Sequence, residues 1–333
     1  MNAFCHRRLA RAALVASSLC AAMLGVSLAA EDAKGPRIAY LFPGPPACPT
    51  INNSASVAFQ RRLQEAGYGN AEQTQYCYQT LADVPTRVRQ ILEAKPSIAL
   101  IWGSASAARA LRDASPTLPV VFVDVADPVK NGLAQSLSHP GGSTTGITNM
   151  GEELVAKRVQ LLKESIPTLT RLAVIGNLTN PEQPYYWSVV QDAARVRRVE
   201  ARIYAVETQA QLAPAFAAMK RDDMQAVLLL GDVWFYPHRA EIVALAAGHR
   251  LPMMYGNTAY ADLGGLYTYG ANLSGMGLKS IKYIDKILKG ARPGDLPVER
   301  PEEFDFIVNL KTAREMGMTV PPTTLLRATQ VVQ

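Results

Sequence analysis

The chain has 333 residues, 48% of them apolar and only 19% charged. At roughly 150 residues per domain this length suits two domains, each able to bury its own core. The apolar fraction excludes intrinsic disorder, and no repeated or biased segment marks a low-complexity scaffold. The formal net charge of +6 owes half its value to the first thirty residues.

Residues 1–30 read as a secretory signal peptide. His6, Arg7, Arg8 and Arg11 make a basic start, residues 12–24 an apolar run, and Ser27-Leu28-Ala29 a small-residue cleavage site before Glu31-Asp32. The run is shorter than the ~20 residues a membrane span needs. Leu19 before Cys20 is too large for a lipid-attachment signal. Removing this segment takes three Arg and no acid, leaving 31 basic against 28 acidic residues, a net +3. That balance gives no reason to expect a nucleic-acid partner. The expected compartment is the periplasm.

From residue 37 short β-type runs alternate with helical periods. Residues 37–42 form an apolar strand, 54–66 an amphipathic helix closed by Gly67, and 73–78 a strand. A helix follows over 84–94, a strand over 98–101, a helix over 104–113 and a strand over 120–123. Near-continuous apolar strands between helices indicate a parallel sheet covered on both faces. Cys5 and Cys20 leave with the signal, so Cys48 and Cys77 remain, near the ends of adjacent strands. They are read as a disulfide, with two separate buried thiols as the alternative. The closed loop would contribute ~3–4 kcal/mol in the chain-entropy picture.

A Gly/Pro/Ser/Thr-rich connection at 140–145 separates this series from a second one. Helices are expected over 152–164, 186–197, 209–220 and 238–247. Strands are expected over 172–175, 202–206, 226–230 and 252–255. After a strand near 265–269 comes a helix at 273–289, a Pro-rich link (Pro293, Pro297, Pro301) and a strand at 304–309. About ten strands are too many for one open sheet. Two lobes, with the chain crossing back to the first and out again, fit better, with a cleft between them.

The residues expected of an enzyme are missing. His139, His238 and His249 show no metal-ligand spacing, so no metal or cofactor is expected. In Gly103-Ser104-Ala105-Ser106-Ala107 the serines sit at the wrong offsets for a nucleophile elbow. Gly141-Gly142-Ser143-Thr144-Thr145-Gly146 lacks the Lys of a phosphate loop. No nucleophile, base and orienting group can be paired, which argues against catalysis.

Binding chemistry is better placed, because ligands in open α/β sheets sit beyond the C-terminal strand ends. Ser104 and Ser106 follow the third strand at a helix start and suit an anionic head, although Ser104 could equally be an ordinary N-cap. Asp124 and Asp127, after the fourth strand, suit an ammonium or hydroxyls, while a turn-forming Asx-Pro is the plainer reading. In the second series Thr179 and Asn180 (Asn177-Leu178-Thr179-Asn180-Pro181) and Asp232 occupy equivalent loops. Trp234, Tyr255 and Tyr269 are assigned to the ligand body and Asn257 to the rim. Tyr185-Tyr186-Trp187 is read as surface packing on the lobe.

These loops also carry a family resemblance. Val120-Val121-Phe122-Val123-Asp124-Val125-Ala126-Asp127-Pro128-Val129, Gly132-Leu133 and Pro140-Gly141-Gly142 match, as do Asn177-Leu178-Thr179-Asn180-Pro181, His249-Arg250-Leu251-Pro252, Tyr269-Gly270, Asp285-Lys286-Ile287-Leu288-Lys289-Gly290 and Asn309-Leu310-Lys311-Thr312-Ala313. In order along nearly the whole chain, they resemble the substrate-binding proteins of ABC transporters, in the group that includes tryptophan-binding proteins. The resemblance implies a type I periplasmic-binding-protein fold: α/β, with two Rossmann-like lobes, parallel sheets and three crossover strands. The lobes would be 35–147 plus 272–302 and 148–271 plus 303–333. It also implies a monomer that captures a small polar ligand, such as an amino acid or related carboxylate, by hinge closure near Thr148, Tyr269 and Phe304. Delivery would be to a permease in the inner membrane. Two departures stand out: four prolines and Cys48 crowd residues 43–53, and Asn272 stands where an acid is expected. A sensor for a periplasmic kinase domain, a sugar-binding protein and a secreted α/β enzyme are the alternative readings.

Overall fold

The computed structural model describes residues 35–45, 48 and 54–333. The expected signal segment, 1–30, lies outside the described residues. No helix among those described is long and apolar enough to cross a membrane.

Strands apolar on both faces must be covered on both faces, and the chain divides them between two sheets. The first sheet contains β1 (Arg37–Pro43), β2 (Glu72–Tyr78), β3 (Ile98–Trp102), β4 (Val120–Val125) and β5 (Thr144–Thr148). Their order is β2-β1-β3-β4-β5, with every pairing parallel. The chain returns through α1 (Ser54–Leu63), α2 (Val84–Glu93) and α3 (Ala105–Ala114). Gly67 ends the turn that extends α1 and adopts φ +93°, a conformation without penalty only for glycine. A disulfide joins Cys48 to Cys77, their Cα atoms 5.1 Å apart, and ties the loop after β1 to the end of its neighbour β2.

The second sheet follows α4 (Gly151–Ser165). It takes in β6 (Arg171–Gly176), β7 (Glu200–Ala205), β8 (Ala226–Leu229), β9 (Met253–Tyr255) and β10 (Tyr267–Ala271). The helices between these strands are α5 (Gln183–Val196), α6 (Leu212–Arg221) and α7 (Arg239–Gly248). After α8 (Leu273–Leu288) come β11 (Phe304–Asn309), α9 (Leu310–Glu315), α10 (Pro322–Leu325) and β12 (Gln330–Val332). The order is β12-β11-β10-β9-β8-β6-β7. Its first five strands thus repeat the pattern of the first sheet, and β11 joins β10 antiparallel.

The chain passes between the sheets three times. It leaves β5 for α4, which packs on α5, β8 and β10. It leaves β10 for α8, whose Ile281, Ile284 and Ile287 bury against Ile38, Tyr40 and Val121 of the first sheet. It returns past Glu299, which bridges to Ile147, into β11. Each core is dense in β-branched and aliphatic side chains. Phe122, fully buried in β4, should cost about 3–5 kcal/mol if cut to Ala.

Two expectations need correction. Thr144 and Thr145, read as part of a connection, open β5, because Thr144, Thr145, Ile147 and Thr148 are all buried at the sheet edge. The short C-terminal elements α10 and β12 had no periodic signal strong enough to foresee.

Candidate ligand-binding site

In both sheets the strand order reverses beside the first strand, and a crevice opens there at the C-terminal strand ends. The two crevices face one another across a cavity of about 190 Å³. Its first wall comes from the β3 loop (Gly103, Ser104, Ala105, Ser106) and the β4 end (Asp124, Ala126). Its second wall comes from α4 (Leu154, Val155, Arg158), the β6 loop and α5 (Asn180, Glu182, Tyr186), and the β8 loop (Gly231, Asp232, Val233, Tyr236). Gly256, Asn257 and Tyr260 close one side.

Local sequence explains how these groups are aimed. Ser104 caps α3, its Oγ accepting the Ala107 N–H at 3.1 Å. The first turn of α3, whose N–H groups precede the helix ladder, therefore borders the cavity along with the Ser106 hydroxyl. At the end of β4 the register with β5 slips between Val123 and Val125. The slipped residue is Asp124, at φ +61°, which Asp tolerates better than most side chains. This bulge takes Asp124 out of the alternating strand pattern and leaves it on the cavity wall.

Asp124 accepts from Asn149 Nδ2 at 3.0 Å. Burial pushes its carboxyl up to about 6, against the opposing pull of the Asn149 amide and Arg158. Arg158 faces it from the other lobe, only 8% exposed. The Arg158 guanidinium donates through Nε to the Tyr269 carbonyl at 2.7 Å and through Nη2 to the Gly256 carbonyl at 3.4 Å. Burial lowers it to about 10, with Asp124 opposing. A Cβ at Gly256 would stand 3.0 Å from the Arg158 guanidinium carbon, so glycine lets the guanidinium approach the backbone closely there.

The other carboxylates are placed less symmetrically. Asp232 caps the turn after β8, accepting the Trp234 N–H at 2.7 Å and Asn180 Nδ2 at 2.7 Å. Burial raises its pKa against those hydrogen bonds. Glu182 makes no side-chain hydrogen bond among the described residues. Burial pushes it up to about 7; Arg109 opposes that rise, and Asp127 and Asp232 add to it. Asp127 accepts from the Tyr186 hydroxyl at 2.7 Å and so connects the two lobes. No group of three His, Cys, Asp or Glu among the described residues is placed to hold a metal.

Of the sequence candidates, the cavity brings together Ser104, Ser106, Asp124, Asn180, Asp232 and Asn257. Asp127 stands behind Tyr186. Thr179 turns its hydroxyl to Asn177 Oδ1 at 2.6 Å. The three aromatics assigned to the ligand body are occupied elsewhere: Trp234 against Phe235 and His238, Tyr255 on Tyr260 in the core, and Tyr269 between Phe304 and Phe306. Tyr186, Tyr236 and Tyr260 line the cavity in their place. Tyr186, expected on the lobe surface, is only 7% exposed, because the Asp127 carboxylate draws its hydroxyl inward. Asn272, where an acid was expected, caps α8 through Gly275 N–H and donates to Asp305.

Arg158 and Glu182 went unread in the sequence. Arg158 carried a usable signal, since it falls on the apolar stripe of α4 with Leu154, Val155, Val159, Leu161 and Leu162. A cation on a buried helix face needs a reason. Glu182 sits at the start of α5 among turn residues and looks like any solvated acid.

Comparison with known proteins places the chain in a family. A curated tyrosine-binding protein from Clostridioides difficile (strain R20291) is 24% identical over 280 residues, covering 80% of this chain and 77% of that protein. A conserved domain protein from Vibrio cholerae O1 biovar El Tor superposes with a TM-score of 0.77 at 23% identity, covering 90% of this chain and 99% of the other. An ABC domain from Streptococcus pneumonia in complex with L-Trp gives 0.77 at 21% identity, covering 90% and 100%. Type I periplasmic binding proteins share the fold. The family model for ABC transporter substrate binding proteins matches residues 53–332, and the chain belongs to that family.

Proposed function

We propose that this protein is a periplasmic receptor that captures a free α-amino acid between its lobes and presents it to an ABC permease. The observation that carries this reading is a buried guanidinium and a half-buried carboxylate on opposite walls of one cavity. Asp124 of one lobe and Arg158 of the other attract one another electrostatically without closing an ion pair. Charged groups taken from water and left without a close partner are costly, and a ligand with both charges can complete each. A zwitterion does so, with its ammonium at Asp124 and its carboxylate between Arg158 and the first turn of α3. The tyrosine-binding relative and the L-Trp complex support an amino-acid ligand.

The ligand body would lie along Tyr186, Tyr236, Tyr260, Leu229 and Leu230. Filling the cavity links the lobes, and closure about the three chain crossings would form the surface a permease reads. The N-terminal segment fits export by a cleaved signal. Thermal unfolding against amino acids, simple carboxylates, sugars and nucleosides tests the reading. A ligand at 100 times its Kd adds about 2.7 kcal/mol, or roughly 2–4 °C for a chain of this size. Shifts confined to amino acids support it; shifts with sugars alone would contradict it.

A further inference from the structure

The cleft holds more negative charge than an ordinary zwitterion can use. Four carboxylates stand in or at the edge of the cavity: Asp124, Asp127, Glu182 and Asp232. Every side-chain hydrogen bond they accept comes from a neutral donor, namely the Asn149 and Asn180 amides, the Tyr186 hydroxyl and the Trp234 N–H. None belongs to an ion pair among the described residues. Glu182, which borders the cavity, accepts no hydrogen bond there at all.

The cations nearby form no ion pair with these acids among the described residues, although Arg109 attracts Glu182 at longer range. Arg109 donates to the Asn131 carbonyl at 3.0 Å. Arg239 donates to the Tyr236 carbonyl at 2.7 Å and lies over that residue's ring, 4.3 Å from its centre. Arg158 is more than nine-tenths buried, and its Nη1 has no hydrogen-bond partner among the described residues. It borders the cavity and calls for an anion from the ligand. Once a ligand carboxylate answers Arg158 and its α-ammonium answers Asp124, Glu182 and Asp232 still face the cavity without a cation in contact with them.

We infer that the captured amino acid carries a second positive charge on its side chain, an ammonium or guanidinium held by Glu182 and Asp232 beside the Tyr186 and Tyr236 rings. This deepens the amino-acid reading above and rests on it. Carboxylates supply direct charge-assisted hydrogen bonds, and aromatic faces favour a partly desolvated cation. A neutral side chain of equal length covers these half-buried carboxylates and leaves them unanswered, which is where discrimination arises.

Titration calorimetry on the purified chain tests this with matched pairs: L-lysine against L-norleucine, and L-arginine against L-citrulline. L-tyrosine serves as the neutral aromatic probe and cadaverine as the diamine without a carboxylate. The expected result is binding of at least one basic member about tenfold or more tighter than its neutral partner. Glu182→Gln is expected to bring that ratio down to about threefold or less. Equal or tighter binding of the neutral partners, or a ratio unmoved by Glu182→Gln, overturns the inference. The amino-acid reading fails separately. Cadaverine binding as tightly as L-lysine would overturn the head-group assignment and keep the second charge. L-tyrosine or L-norleucine binding alone would keep the head group and overturn the second charge. No binding by any of the probes overturns both.

Discussion

The acids on the surface and the acids in the cleft are held in opposite ways. On the surface, Glu152 pairs with Lys130 at 2.7 Å, Asp285 with Lys289 at 2.7 Å, and Glu299 with both Lys279 and Lys282. The pKa values of these three carboxylates are lowered, for Glu152 and Asp285 chiefly by the lysine beside each. In the cleft, Asp124, Glu182 and Asp232 have neutral donors or none, and burial raises all three. A surface pair is complete and weakly stabilising. The cleft acids have no such contact, and under the function proposed above a ligand supplies it. The same residue type is thus completed within the chain in one region and left without a charged partner in contact in the other.

Changes to the cleft should separate these regions most sharply. Arg158→Met removes the buried cation and its bonds to the Tyr269 and Gly256 carbonyls. Ligand affinity should fall about 100-fold, and the melting temperature should drop as well. Calorimetry and a melting curve read the two effects separately.

Asp124→Asn should weaken ligand binding and yet stabilise the empty protein. Burial raises the Asp124 carboxyl from its ordinary 3.8 to about 6, so between these values the folded chain holds a proton the unfolded chain has lost. Its contribution to stability therefore falls as pH rises through that window, and the full penalty is present above about pH 6. Asn keeps the tolerance for φ +61° and can still accept from Asn149. The expected gain is about 1–3 kcal/mol at pH 8 and close to none at pH 4, read from denaturant midpoints without ligand. A gain equal at both values would show that the charge is not the cause.

Tyr186→Phe deletes the hydroxyl that reaches Asp127 across the lobes. Ligand affinity should fall roughly threefold to tenfold, a hydrogen bond's worth, with a larger radius of gyration in small-angle scattering of the liganded protein. At the surface, Lys130→Ala breaks the contacts of Lys130 with Glu152 and Tyr185, which also link the lobes. The expected change in stability is under about 1 kcal/mol, because exposed pairs are screened by water.

Much of the architecture was readable in the sequence, for a physical reason. Runs such as Ile98–Trp102 and Val120–Val125 are apolar at nearly every position, which only a doubly covered strand allows, and the helices between them carry a clear stripe. The cavity lining was readable at strand ends, where the topology opens a crevice: Ser104, Asp124, Asn180 and Asp232 all border it. Aromatic roles were not readable, because a Tyr after a strand can serve core or cleft equally. Tyr255 stacks on Tyr260 at a centroid distance of 4.6 Å, a contact with a partner that periodicity cannot reveal. Arg158 and Glu182 escaped because their importance comes from what the other lobe places opposite them.

The central claim is that the cleft reads both ends of a zwitterion, one from each lobe. Calorimetry settles it with three forms of one amino acid identified in the thermal screen: the intact molecule, the amine lacking the carboxylate, and the acid lacking the amine. The account predicts that each truncated form binds about 100-fold or more weaker than the parent, because each leaves one of the two cavity charges, Arg158 or Asp124, without a ligand partner. Either truncated form binding within a few-fold of the parent would contradict it.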